Sequence, residues 1–195
     1  MARAREFDPE QALDRATALF WRQGYRATSV DDLVRETGVS KYGLYGVFGS
    51  KRELFRRALF RFWDQVGQDV QADLRKPDGS LPEIRRYFNR LAGMADEKGI
   101  RRGCMACNTA TEVGPFDEEI GVEVRRLFSH LQRTFRLALE RAKQRGEVSP
   151  NLDVSRWANH LVSMVQSSAV KLRAGYPAAA IRQDIDLSLE LLTRE

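Results

Sequence analysis

The chain has 195 residues, 43% hydrophobic and 30% charged, with a formal net charge of +5. That length can bury a full core, and the balance excludes a disordered, collagen-like or membrane-embedded chain. The positive surplus suits a polyanionic partner without identifying one.

Apolar residues recur at helical spacing almost throughout, and no stretch alternates like a strand. The expected fold is all-α, with about nine helices. The opening MARAREFDPEQ is charged and lacks the apolar core of a signal peptide. The first helix is expected from Asp8 to Gly24, with Pro9 in its first turn and Leu13, Ala16, Leu19 and Phe20 facing inward. A second follows over Val30 to Thr37, with Thr28 and Ser29 offering capping hydroxyls. Gly38 ends it, and Ser40 caps a third helix over Lys41 to Phe48. Ser50 with Glu53 has the spacing of a capping box for a long fourth helix reaching about Arg75.

Beyond the turn KPDGSLPE, a fifth helix is expected from Leu81 to Lys98. A basic loop then covers Gly99 to Gly103, and a short sixth helix runs from Cys104 to Val113. Asp117 to Arg145 reads as the seventh helix, Val154 to Arg173 as the eighth and Ala178 to Thr193 as the ninth. The apolar run near Trp157 to Val170 is interrupted by His160, Ser163 and Gln166, and is too short and polar to span a bilayer. No membrane association is expected, and the expected location is the cytoplasm.

The second and third helices are joined by a three-residue turn, the geometry that makes the following helix protrude and enter a DNA major groove. Around it lies a local excess of positive charge from Lys41, Lys51, Arg52, Arg56 and Arg57, against Glu53 alone, suited to phosphates. Leu44, Val47 and Phe48 would anchor the third helix, leaving Lys41, Tyr42, Gly43, Tyr45 and Gly46 outward. Each glycine costs about 1 kcal/mol of helix stability relative to Ala. Bare backbone there would let the helix approach the groove floor.

The run GYRATSVDDLVRETGVSKYGLYGVFGSKRELF resembles the DNA-binding domain of TetR-type transcriptional regulators. The elements carrying the resemblance are the Gly-Tyr-x-x-Thr-Ser entry, the Gly-Val-Ser turn, Leu-Tyr-x-x-Phe and the following Ser-Lys-x-x-Leu. Leu33-Val34 and Gly46-Val47 depart from residues common in the family. The resemblance implies a helix-turn-helix DNA-binding domain at 1–56 and a ligand-sensing and dimerisation domain at 57–195. It implies phosphate contacts from Thr28, Tyr45 and Lys51 and groove contacts from Ser40, Lys41, Tyr42 and Gly43, with Ser29 beside them. It further implies a repressor that binds a double-stranded, palindromic DNA operator as a homodimer formed through the last two helices and releases it on binding a small-molecule effector. The ninth helix permits this pairing: Ile181, Ile185, Leu189 and Leu192 form one apolar stripe, while Leu187 and Leu191 lie beside it.

A ligand pocket is expected among the fourth to eighth helices. Candidate lining residues are Phe62, Val66, Tyr87, Phe88, Leu91, Cys104, Phe128, Trp157, His160 and Met164, with Met94 and Gln166 beside them. Cys104 follows Arg101-Arg102-Gly103 at a helix start, a setting that stabilises a thiolate. The segment RGCMACNTATE also resembles a cysteine-bearing stretch of TetR-type regulators, some of which sense electrophiles or oxidants. Cys104 and Cys107 are therefore candidate redox sensors, although an i, i+3 disulfide within a helix would be strained. One CxxC pair is too few ligands for structural zinc, so no metal and no cofactor are expected. Two rival readings remain. A cysteine-dependent enzyme would need Cys104 beside His130 or His160, and an effectorless DNA-binding protein would lack a pocket. With no phosphate loop or nucleophile elbow in the sequence, a non-enzymatic regulator is expected.

Overall fold

A computed structural model describes residues 7–95 and 101–194, except the side chains of residues 66–69 and 194. The described residues form nine α-helices. The first three are α1 (Pro9–Gln23), α2 (Val30–Thr37) and α3 (Lys41–Phe48), each started and stopped by the local chemistry of its ends. Asp8 accepts from the Glu10 N–H at 2.9 Å and Pro9 opens α1. Ser29 and Asp32 form a reciprocal capping box on α2. Gly38, in the left-handed conformation at φ 72°, closes it. Ser40 then accepts from Gly43 N–H at 3.1 Å to start α3.

The long α4 (Lys51–Arg75) runs unbroken past Arg56 and packs against α1 on one side and α5 (Leu81–Gly93), α6 (Met105–Glu112) and α7 (Glu118–Gln144) on the other. At 25 residues it spans roughly 37 Å. Ser50 caps α4 by accepting from Glu53 N–H at 3.2 Å, while the Glu53 carboxylate binds Arg52 and Arg56. The fifth helix ends at Gly93 with Met94 as its C-cap, short of the expected Lys98, which lies outside the described residues. The other limits agree with expectation to within a residue or so, since Cys104 and Asp117 turn out to be caps rather than helical residues. The chain closes with α8 (Val154–Ala174) and α9 (Ala178–Arg194).

The core is continuous from end to end. Phe20 of α1 meets Phe55 of α4 edge-on at 5.1 Å, and Tyr25 packs on the same ring at 4.8 Å. Further along α4, Phe62 touches Trp21 at 4.8 Å. In the body, Phe88 stacks on Phe135 at 5.8 Å with Tyr87 edge-on to both. Ile181, Ile185, Leu189 and Leu192 bury one stripe of α9, while Leu187 and Leu191 on that helix, with Val170 and Tyr176, remain exposed.

Candidate nucleic-acid interface and cavity

α3 presents the most exposed large hydrophobic side chain among the described residues. Tyr42 is 91% accessible, with Lys41 exposed next to it and its ammonium 5.9 Å from the Tyr45 ring. The two glycines of α3 differ. A Cβ on Gly43 would meet Val39 Cγ1 at 2.9 Å and Phe7 at 3.3 Å, so internal packing explains that glycine. A Cβ on Gly46 would meet nothing within 4 Å. Gly46 alone therefore fits the expected role of bare backbone for an outside partner. Tyr45 is half-buried, and Lys51 starts α4 with its ammonium 4.4 Å from the Tyr25 ring. Burial pulls the Lys51 pKa down, opposed by the charges of Glu112 and Asp32.

Two expectations at this surface need correction. Thr28 is wholly buried, and its hydroxyl donates to the Gly24 carbonyl at 2.6 Å, so it holds the loop rather than facing outward. The Ser29 hydroxyl makes the expected cap of α2, as Ser40 does for α3. The basic cluster is also divided. Arg52 donates to Asp117 at 2.6 and 2.9 Å and to Glu119 at 2.6 Å, and Arg56 donates to Glu123 at 3.0 Å. These arginines bind α7 and its cap instead of facing a phosphate. The Arg52 hydrogen bonds also hold the Asp117 carboxyl below its ordinary pKa.

Other contacts join the helix-turn-helix region to the body. Glu112, the last residue of α6, accepts from Tyr25 N–H at 3.1 Å and Arg26 N–H at 2.7 Å. It packs so tightly on Gly24 that a Cβ there would lie 2.6 Å from Glu112 Oε2. The Trp21 indole donates to Gly103 O at 2.8 Å, immediately before Cys104. Arg173 of α8 places Nη1 3.2 to 3.4 Å from the carbonyl oxygens of Trp21, Arg22, Arg101 and Arg102.

The same junction borders a cavity of about 40 Å³. From α4 it is lined by Phe62, Trp63, Val70 and Gln71, and from α5 and its cap by Tyr87, Leu91 and Met94. Gly103 and Cys104 precede α6, Phe128 and Leu131 belong to α7, and Val165 belongs to α8. Of the expected lining residues, Phe62, Tyr87, Leu91, Cys104 and Phe128, with Met94, are brought together. Phe88 is fully buried in the aromatic stack, and Met164 is buried elsewhere. Trp157 and His160 sit instead in an open groove beside Leu191, where His160 Nε2 lies 3.4 Å from Ser188 Oγ. The Val66 side chain lies outside the described residues. Trp63, Val70, Gln71, Leu131 and Val165 were not anticipated. Gln71 lies in the polar run of α4 that also holds Gln68, Asp69 and Asp73, so nothing local in the sequence singled it out.

Cys104 is the N-cap of α6, with extended φ −95° and ψ 125°, and Cys107 follows one turn on. The neighbouring Cys107 side chain and the first-turn amides lower the Cys104 pKa against the opposing effect of burial. Cys107, half-buried beside that sulfur, is shifted the other way. Neither histidine joins them: His130 is 3.5 Å from Arg75 on the outside of the body, and His160 lies in the open groove. Among the described residues no cluster of three or more His, Cys, Asp or Glu could hold a metal ion, and no helix is long and apolar enough to cross a membrane.

The protruding α3 on an all-helical body defines the class, a helix-turn-helix DNA-binding transcriptional regulator. Residues 12–58 match the family of bacterial regulatory proteins described as tetR, and residues 80–185 match the tetracyclin repressor-like C-terminal domain. The chain is 32% identical over 190 residues to the HTH-type transcriptional repressor ComR of Escherichia coli K12, covering 97% of this chain and 90% of that protein. It is 28% identical to YezE of Bacillus subtilis 168, an uncharacterized HTH-type regulator, covering 98% and 100%. A cysteine mutant of the regulator CifR, solved with a 26 bp double-strand operator DNA, shares the fold. Its TM-score is 0.85 at 23% identity, covering 97% of this chain and 98% of that one. The chain belongs to the TetR family.

Proposed function

We propose that the protein is a homodimeric repressor that reads a palindromic operator with α3 and is released by a signal received in its body. The observation that carries this reading is the asymmetry of α3. Leu44 and Phe48 are buried while Tyr42 and Lys41 stand free, and Gly46 leaves open backbone between them and the solvent. Ser40, Lys41 and Tyr42 are assigned to base edges and Tyr45 and Lys51 to phosphate, with Gly46 permitting close approach. Residues 1–56 form the reading domain and 57–195 the sensing and dimerisation domain, sharing α4. Exposed Val170, Tyr176, Leu187 and Leu191 on and between α8 and α9 supply apolar surface for a second copy. Pairing would set two α3 helices at the spacing of DNA half-sites, about 34 Å or a multiple. The cytoplasm is the location this function requires.

A cavity of about 40 Å³ admits a few water-sized groups, well below the several hundred of an ordinary ligand pocket. A larger effector would therefore bind only by spreading α4 from α7, which would shift α3 through the shared helix. Selection of duplex fragments by the purified protein tests the reading. A palindromic sequence, bound by two chains with steep loss of affinity on adding salt, is expected. Absence of any enriched sequence would overturn it. The enzyme alternative is disfavoured because no histidine approaches Cys104.

A further inference from the structure

A second open space lies on the outside of the body, where the end of α4 meets one side of α7. Leu74 and Arg75 of α4 and His130, Thr134, Leu137 and Arg141 of α7 line a groove of about 380 Å³. Residues 130, 134, 137 and 141 share one side of α7 because they follow the helical repeat. The volume is that of a small-molecule site, unlike the 40 Å³ of the inner cavity. Leu74 and Thr134 are buried, and Leu137 stands 46% exposed. The groove thus has an apolar base and an open mouth.

The charges around it are of one sign. Arg75 and Arg141 line it, Arg133 lies within electrostatic reach of His130, and no carboxylate is among the lining residues. Burial lowers the His130 pKa, and the charges of Arg75 and Arg133 lower it further. Elsewhere on α4 the arginines hold carboxylates. Arg52 binds Asp117 and Arg61 binds Asp14, each at 2.6 Å, and Arg56 binds Glu123 at 3.0 Å. Arg75 has weaker neighbours, Gln71 Oε1 at 3.4 Å and His130 Nε2 at 3.5 Å, both long for a hydrogen bond. Arg141 donates from Nη1 to the carbonyls of Lys76 and Gly79, each at 3.2 Å. Two oxygens that would repel an anion therefore already face a cation.

We propose that this groove is a binding site for a small organic anion, with a carboxylate or phosphate head on Arg75 and His130 and an apolar body over Leu74 and Leu137. The planar fork of Arg75 offers paired N–H donors to either head. A negative head also offsets the charges of Arg75, Arg133 and Arg141 at His130, which then holds a proton more readily and donates to the anion. Binding draws Arg75 away from Gln71, and Gln71 lines the inner cavity. The groove and the cavity are separate spaces joined by this one side-chain pair.

The test titrates the full chain with hexanoate and with hexyl phosphate and follows the imidazole rings by proton NMR. The chain has two histidines, and His160 lies in a different groove, so it serves as the internal reference. His130→Gln identifies the His130 signal by removing it. The His130 ring signal is expected to shift saturably with at least one of the two anions, and its titration midpoint to rise, while His160 stays. Hexanol lacks the charge and inorganic phosphate lacks the apolar body, so each should bind at least about tenfold more weakly. Leu137→Glu changes an exposed side chain and should weaken binding by about tenfold or more, because it places a negative charge in the groove. A His130 signal unmoved by both anions, an equal response to hexanol or to inorganic phosphate, or unweakened binding by Leu137→Glu would overturn the site. Response to one anion alone would support the site and assign its head group. No DNA enters the test, so failure of the groove leaves the operator reading standing.

Discussion

The two functional regions treat open space in opposite ways. α3 turns Tyr42 and Lys41 outward and leaves Gly46 facing nothing, a surface incomplete without a large, rigid partner. The cavity is lined mostly by apolar side chains, with Gln71 and Cys104 among them, from five helices or their caps, and leaves about 40 Å³. One region is made to be covered by something bigger than itself. The other admits something small or must be forced apart. Between them lie the aromatic contact of Trp21 with Phe62 and a set of polar contacts: Glu112 on the Tyr25 and Arg26 amides, Trp21 on Gly103, and Arg52 on Asp117.

The largest expected effect tests whether the regions are separate at all. Phe135→Ala removes a fully buried ring from the body and should cost about 3 to 5 kcal/mol. Because α4 and the Trp21–Phe62 contact join the cores, urea denaturation should remain a single transition. A separate, unshifted transition for the α1–α3 region would show the two to be independent. Next, Lys41→Ala with Tyr42→Ala should remove about 1 to 3 kcal/mol of operator discrimination per lost base contact. The melting temperature should hardly change, both side chains being exposed, and intact selectivity in a competition assay would remove α3 as the reader. Glu112→Ala should cost about 1 to 3 kcal/mol, leaving two amides without their charged acceptor. Its stronger signature would be an effector response that no longer reaches the DNA, measured as the ratio of affinities with and without the signal.

The glycines sharpen the comparison further. Gly46→Ala should stabilise the free protein by up to about 1 kcal/mol yet weaken operator binding. Gly43→Ala should destabilise it, since Val39 is in the way. Equal operator affinity for Gly46→Ala and wild type would show that close backbone approach is not used. The smallest effect is on acid stability. Arg52 holds the Asp117 carboxyl below its ordinary pKa, so in the window between those values the folded chain binds fewer protons than the unfolded one. This contribution is complete above about pH 4, the ordinary carboxylate range, and is lost as pH falls through the depressed value. Urea midpoints measured down the acid limb should fall less steeply for Asp117→Asn, and identical slopes would contradict the assignment.

The helix-turn-helix region was largely legible because its signals are local. Pro9, Gly24, Gly38 and Gly49 mark helix ends, and serines and aspartates cap the next element within a few residues. Its failures came where the partner is distant. Arg52 looks the same in sequence whether it faces a phosphate or Asp117, 65 residues away. Thr28 was read as a cap or contact, but the turn of the loop takes its hydroxyl inward. The cavity was legible only in part. α4 and α7 each carry an apolar stripe within a largely charged helix, and tertiary packing decides which part of that stripe faces a void. Polar residues on the stripe of α8 pointed to His160, which sits in an open groove, while Gln71, in a polar run of α4, lines the cavity.

The fit of Glu112 against Gly24 has a genetic consequence. No other residue can stand at Gly24 without striking that carboxylate or straining a backbone at φ 89°. In a screen for alleles that bind operator but ignore their inducer, substitutions at codon 24 and codon 112 should be recovered as one phenotypic group. Paired changes restoring the response should arise there more readily than by reversion elsewhere, and sequencing such suppressors would map the route of the signal without any ligand in hand.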